Sequence, residues 1–185
     1  QLDWPAFAAR LHGGRGPGEA VQVIDLGCGT GASLREVAPR LGGAQHWRLV
    51  DHDAHLLAAL PTVLSAWATA QGWHAVPGRD RLHIDGPALS LCVEWQRADL
   101  STVPDAALLA GARLVTASAL LDLVSAPWLD ALVTQCRAAR AAVCWALSVD
   151  DRLHWQPADA ADAAVHRHFR GHQRRDKGFG AALGG

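Results

Sequence analysis

A glycine-rich turn between a predicted strand and a predicted helix carries the clearest chemical signal in the sequence. Residues 25–31 read DLGCGTG, in which Gly27, Gly29 and Gly31 alternate with other residues. Glycine permits positive φ and close approach of a ligand to the backbone, and the N-terminus of the following helix offers free N–H groups. We therefore expect the turn to hold a carboxylate or sugar edge of a bound ligand; a tight strand-to-helix turn without a ligand is the alternative.

The glycine spacing separates this turn from the dinucleotide-binding fingerprint. That fingerprint has two residues between its second and third glycines, whereas only Thr30 separates Gly29 from Gly31 here, and Asp25 stands two residues before the first glycine. The difference disfavours a nicotinamide dinucleotide, whose pyrophosphate lies on such a turn.

Two acidic residues follow later predicted strands and could complete the same site. Asp51 could accept hydrogen bonds from both hydroxyls of a ribose, with Asp53 as the competing choice unless it caps the next helix. Asp99 could accept a hydrogen bond from an adenine amino group beside the apolar Leu100. The alternative for Asp99 is a cap on a helix predicted over residues 103–110.

Hydrophobic periodicity predicts strands that alternate with helices, and hence one α/β domain over residues 1–185 with a doubly wound, mostly parallel sheet and an inserted β-hairpin around 81–97. The predicted strands are 21–26, 47–50, 113–117 and 142–149, and the hairpin turns at Asp85-Gly86 with a second arm that ends at Asp99. The predicted helices are 3–11, 31–41, 56–71 with Pro61 near the start of a new stretch, 128–141 and 159–169.

Net charge, cysteine spacing and the length of apolar runs limit the classes of protein to which the chain can belong. A formal net charge of -1 and a pI near 6.9 give no general attraction to nucleic acid. The four cysteines are widely spaced, which is typical of reduced thiols in a cytoplasmic protein, and we expect no membrane association because no apolar run is long enough to span a bilayer. The oligomeric state is left open.

Histidines near the end of the sequence are a further group that could bind a metal. His166, His168 and His172 lie close to Asp162, and the last two histidines would share a helix face if the helix continued. A hydrated surface is the favoured interpretation, and no metal site is predicted.

The order of these motifs, followed by TASALLD at 116–122, resembles the class I S-adenosylmethionine (SAM)-dependent methyltransferase family over about residues 20–150. The resemblance implies a Rossmann-like fold with SAM as cofactor. It places these residues at the cofactor: Asp25, Gly27, Cys28, Gly29, Gly31, Asp51, His52, Asp99, Leu100 and Ser118. Family members end their sheet with an antiparallel strand pair, and no residues remain after Gly185 to form it, so we expect this pair to be lacking.

By this resemblance the chain transfers a methyl group to a small-molecule acceptor. Such a displacement requires alignment and no protein nucleophile, but a general base would assist a hydroxyl or acidic carbon, and Asp122, His154 and His172 are candidates. The stretch 172–180, which resembles one in bacterial members, is either a lid over the substrate or a solvated loop. A catalytically silent module of the same fold and a nicotinamide-dependent oxidoreductase remain alternatives.

Overall fold

A computed structural model describes residues 2–14, 16, 18–146 and 152–183. The strands are β1 (Val21–Leu26), β2 (Gly43–Asp51), β3 (His74–Pro77), β4 (Arg81–Gly86), β5 (Leu89–Arg97), β6 (Leu114–Ser118) and β7 (Ala142–Ala146). The helices are α1 (Trp4–His12), α2 (Ala32–Leu41), α3 (Ala54–Ala70), α4 (Ala106–Leu109), α5 (Ala126–Ala138) and α6 (Asp162–Gln173).

These strands form one seven-stranded sheet in the order β3-β4-β5-β2-β1-β6-β7. The run from β5 to β7 is parallel throughout, and β3 and β4 add an antiparallel edge. The predicted fold class, an α/β protein with a doubly wound and mostly parallel sheet, is confirmed. Parallel strands bring their carboxyl ends to one edge of the sheet, where ligands of such folds bind.

The predicted hairpin around 81–97 exists, but the prediction that it is an insertion is wrong. β5 pairs in parallel with β2 from Gly43 to Asp51, so this arm is itself a central strand of the sheet. The register pairs Gly86 with Leu89, which places the turn after Asp85-Gly86 rather than on it. Periodicity does not predict the short strand β3, because this strand is largely exposed and pairs only with β4.

Several predicted helix boundaries shift because side chains cap the helices earlier than periodicity suggests. Asp53 accepts hydrogen bonds from the backbone of the first turn of α3, and the helix then continues through Pro61 without a new start. Ser125 caps α5 in the same way. The helix α6 differs, because it begins at Asp162 without a side-chain cap and extends to Gln173. The end of the last predicted strand, beyond Ala146, lies outside the described residues.

Each face of the sheet has its own apolar core. Trp47 is fully buried on the face covered by α1, α2 and α3, and its indole N–H donates to Gln45 at 2.8 Å. Leu26, Val115 and Trp128 belong to the core on the opposite face, where α5 packs. Within the described ranges, no helix is both long and apolar enough to cross a membrane.

We expect Gly31→Ala to lower the free energy of unfolding by about 2 kcal/mol. Gly31 has φ +80°, and a Cβ there would stand 3.1 Å from Leu64 Cδ2 in the core. Gly111→Ala is the matched control, because Gly111 has φ +73° with open space around it and should cost only the backbone strain, about 1 kcal/mol. Urea denaturation measures both, and equal losses would contradict the packing role of Gly31.

Candidate functional site

A cavity of about 490 Å³ opens at the carboxyl edge of the sheet. This volume falls within the usual range of about 300–1,000 Å³ for small-molecule sites. Its lining residues are Gly27, Gly29, Asp51, His52, Leu56, Asp99, Leu100, Ser101, Ser118, Ala119, Leu120, Leu123, Lys177, Gly178 and Phe179. The structure therefore brings together most of the residues that the sequence places at the cofactor.

The glycine turn is tied to its neighbours through its own backbone. The Cys28 N–H donates to Val50 O at 3.0 Å, and the Gly31 N–H donates back to Cys28 O at 2.8 Å. The Gly29 N–H donates to Asp51 Oδ2 at 2.8 Å. No atom lies within 4 Å of the place where a Gly29 Cβ would stand, so the described part of the chain leaves space for a ligand directly over this residue.

Asp51 ends β2 with its carboxylate almost fully buried at the wall of the cavity. Its Oδ1 accepts the Asp53 N–H at 2.9 Å and lies 3.3 Å from His52 Nδ1, while Oδ2 accepts the Gly29 N–H. A carboxylate offers about four lone-pair sites, so the two backbone hydrogen bonds leave capacity for a ligand.

Asp53 does not line the cavity. Its Oδ1 accepts the N–H groups of His55 at 2.8 Å and Leu56 at 3.4 Å, which caps α3. These hydrogen bonds hold the pKa of the Asp53 carboxyl below its usual value. The capping interpretation of Asp53 is therefore confirmed.

Asp99 lies exposed at the cavity, just after β5. Its Oδ1 accepts the Ser101 N–H at 2.8 Å, and this hydrogen bond lowers the pKa of the carboxyl. The alternative of a helix cap is wrong, because α4 begins at Ala106 and Asp105 caps it. Leu100 is buried beside Asp99, and its carbonyl accepts the Trp128 indole N–H at 3.0 Å.

Three of the predicted cofactor residues lie outside the described lining of the cavity. Asp25 is fully buried beneath the turn, where the Thr116 hydroxyl donates to its Oδ1 at 2.7 Å. Burial raises the pKa of Asp25 to about 6. Cys28 is buried too, and burial raises the pKa of its thiol, while Gly31 packs against the core.

The segment after α6 supplies lining residues that the sequence does not assign to the site. Phe179 stacks edge-on against Trp128 with ring centroids 6.0 Å apart, and the Leu183 N–H donates to Val124 O at 2.9 Å. Asp176 accepts the N–H groups of both Gly178 and Gly180. Lys177, Gly178 and Phe179 line the cavity, whereas His172, Arg174, Arg175 and Asp176 are exposed to solvent. The interpretations as a lid and as a solvated loop thus each describe part of this stretch. Besides the resemblance noted for 172–180, its signal in the sequence is an aromatic residue between glycines.

The three candidate general bases do not belong to the described lining of this cavity. Asp122, His154 and His172 are not among the described residues that line it. His154 lies instead in another cavity, together with Asp162 and His166 of α6.

Comparison with known proteins finds similarity in architecture. No protein-family model and no curated protein matches the chain. A SAM-dependent methyltransferase structure from Mesorhizobium loti is 19% identical, covers 77% of this chain and 51% of its own, and gives a TM-score of 0.43. An O-methyltransferase family protein from Burkholderia thailandensis is 21% identical, covers 80% of this chain and 39% of its own, and gives a TM-score of 0.47.

The large terminase of a thermophilic bacteriophage is also similar, at 11% identity over 79% of this chain and 38% of its own, with a TM-score of 0.40. The chain thus spans about half of the first structure and less of the other two. Similarities of this size concern the fold and assign no activity.

We expect the stability of the protein to carry a pH dependence that originates at Asp25. Its pKa is about 6 in the folded chain against 3.8 ordinarily, so the folded state holds the proton between these values and the free energy of unfolding falls as the pH rises through 6. Asp25→Asn keeps an oxygen for the Thr116 hydroxyl but cannot ionise. Relative to that of the original chain, the free energy of unfolding of this variant should rise by about 2 kcal/mol between pH 4 and pH 7.5. Urea denaturation at both pH values measures the gain, and a difference independent of pH would contradict the assignment.

Proposed function

We propose that the cavity binds SAM and that the chain transfers its methyl group to a small-molecule acceptor. The observation that carries the proposal is the placement of Asp51 and Asp99, at the ends of neighbouring strands, around the open backbone at Gly29. One wall of the cavity thereby presents two carboxylates and an uncovered stretch of main chain to the same ligand.

The hydrogen bonding of the turn supports SAM over a dinucleotide. The N–H groups of Cys28, Gly29 and Gly31 already donate to Val50 O, Asp51 Oδ2 and Cys28 O. A pyrophosphate needs such N–H groups free and would also face the carboxylate of Asp51. SAM carries a sulfonium, an ammonium group and one carboxylate, and no phosphate. Its net charge is therefore positive, and acidic side chains around it are favourable.

Each part of the cofactor has a group in the cavity that suits it. The remaining lone pairs of Asp51 suit the two ribose hydroxyls, and Asp99 suits the adenine amino group, with Leu100 as its apolar neighbour. The amino acid end would lie along Gly27 and Gly29, and Ser118 would stand near the methyl group.

Methyl transfer requires mainly that the protein align the acceptor, the methyl group and the sulfur. Attack on the methyl carbon forms one bond as the bond to sulfur breaks, and the sulfonium becomes a neutral thioether. No protein nucleophile takes part, so holding acceptor, methyl and sulfur in line accounts for most of the catalysis. Lys177 and Phe179 form a wall on which an acceptor could rest.

A catalytically silent SAM-binding module is the second candidate. It is favoured by the positions of Asp122, His154 and His172, none of which is in the described lining of the cavity. Calorimetric titration with SAM and NAD, followed by incubation with methyl-labelled SAM and a panel of small acceptors, separates the candidates. Micromolar SAM binding with transfer of the label supports a methyltransferase. SAM binding without transfer supports a catalytically silent module, and binding of NAD alone contradicts both candidates.

We expect Asp51→Ala to weaken SAM binding by about 1–3 kcal/mol, because it removes a charged acceptor from a buried site. The matched control is Asp53→Ala, which removes the cap of α3 and should lower the melting temperature while SAM affinity stays nearly unchanged. Calorimetry and thermal melts measure both variants. A larger loss of affinity in Asp53→Ala would overturn the ribose assignment.

We expect Gly29→Val to abolish SAM binding, because its side chain would fill the open space over the turn. Gly29 has φ +54°, so the variant also carries backbone strain of about 1–3 kcal/mol. Gly72→Val reproduces that strain at φ +74° in open space away from the cavity, and it should bind SAM normally. Retained affinity in a folded Gly29→Val protein would show that the cofactor does not cross this residue.

A further inference from the structure

Three side chains of metal-binding type meet on one face of the sheet, among residues that the proposed function does not use. They are His46 of β2 and Cys92 and Glu94 of β5, and one ligand atom from each lies within 4.8 Å of the others. His46 stands directly opposite Cys92 in the parallel register, and Glu94 follows two residues later on the same face. All three are partly buried, so the group is held by paired strands and still reaches solvent.

The hydrogen bonding of His46 leaves one of its nitrogens unexplained. Gln22 Oε1 lies 2.8 Å from His46 Nδ1, and because that oxygen only accepts, Nδ1 carries the proton. Gln22 Nε2 donates to Ala20 O at 3.4 Å, which agrees with this orientation of the amide. The other nitrogen, Nε2, is buried and has no hydrogen-bond partner among the described residues.

This nitrogen faces a carboxylate oxygen. His46 Nε2 lies 3.2 Å from Glu94 Oε2, although the contact lacks the geometry of an N–H···O hydrogen bond. In a neutral ring with its proton on Nδ1, two atoms that bear lone pairs face each other at this distance. Such an arrangement is repulsive unless a second proton on Nε2 or a metal cation lies between them.

We propose that His46, Cys92 and Glu94 bind a divalent zinc-type cation. Bonds of about 2.0–2.2 Å to nitrogen and oxygen at a tetrahedral centre place these two ligand atoms about 3.3 Å apart, close to the separation seen here. A thiolate from Cys92 supplies the third ligand, and the mixture of nitrogen, sulfur and oxygen donors is typical of zinc. Gln22 fixes the ring as outer hydrogen-bond partners of metal-bound histidines do.

Three protein ligands leave a fourth position for water or an added ligand. In the chain without metal, burial raises the pKa of the Cys92 thiol and Arg81 lies 3.7 Å from Glu94. The rival account is a simple ion pair between protonated His46 and Glu94, in which Cys92 takes no part. The cysteine therefore separates the two accounts.

The test titrates chelator-treated protein with Co²⁺ and Zn²⁺. We expect one equivalent of Co²⁺ to give the near-ultraviolet charge-transfer band of a cobalt thiolate, and Zn²⁺ to displace it. Cys92→Ser should remove the band and weaken Zn²⁺ binding by about 100-fold. Cys144→Ser, which changes another partly buried thiol, should leave both unchanged.

A second variant and a second control keep the result independent of folding. Glu94→Gln retains the thiol and should weaken Zn²⁺ binding by about tenfold or more with a thermal melt close to that of the original chain. The double variant His168→Gln/His172→Gln removes histidines of α6 and should bind Zn²⁺ normally. Absence of a cobalt thiolate band, a band that survives Cys92→Ser, or loss of Zn²⁺ binding in the α6 variant would overturn the proposal.

Discussion

The arrangement of the cavity depends on the two backbone hydrogen bonds that the Asp51 carboxylate accepts. It accepts the Gly29 N–H with one oxygen and the Asp53 N–H with the other. The end of β2, the glycine turn after β1 and the start of α3 therefore meet at one buried charge. A carboxylate held in this way by two backbone donors is fixed in orientation before any ligand arrives, and such preorganisation lowers the entropy that binding costs.

A second acid lies beneath the same region. Asp25 of β1 and Thr116 of β6 form a hydrogen bond under the turn, where neither side chain is exposed. The two acids divide their roles by depth: Asp51 reaches the cavity and Asp25 joins the central strands. In the sequence both are acids next to a glycine turn or a strand end, and only their burial separates the roles.

The local parts of the fold and site could be predicted because their causes are local. A β-branched run followed by glycines gives β1 and its turn, and strand ends give the positions of Asp51 and Asp99. The sequence assigns Gly31 to the ligand because a residue without a side chain does not reveal that its neighbour is Leu64. The short strand β3 has no alternating pattern and exists because β4 offers a free edge.

The distant parts could not be predicted because they depend on tertiary packing. Lys177 and Phe179 line the cavity in a segment where Phe179 packs on Trp128, which is far away along the sequence. His46 and Cys92 meet only through the register of β2 with β5, which no spacing along the chain reveals. The wall of the cavity and the metal-type cluster are thus properties of the folded chain.

The most direct test of SAM binding in this cavity is a crystal structure of the chain grown with S-adenosylhomocysteine, the demethylated product of SAM. We expect the ribose hydroxyls within hydrogen-bonding distance of Asp51, the adenine beside Asp99 and Leu100, and the amino acid end over Gly29. A ligand bound elsewhere, or a cavity without ligand in a crystal grown at saturating concentration, would contradict it.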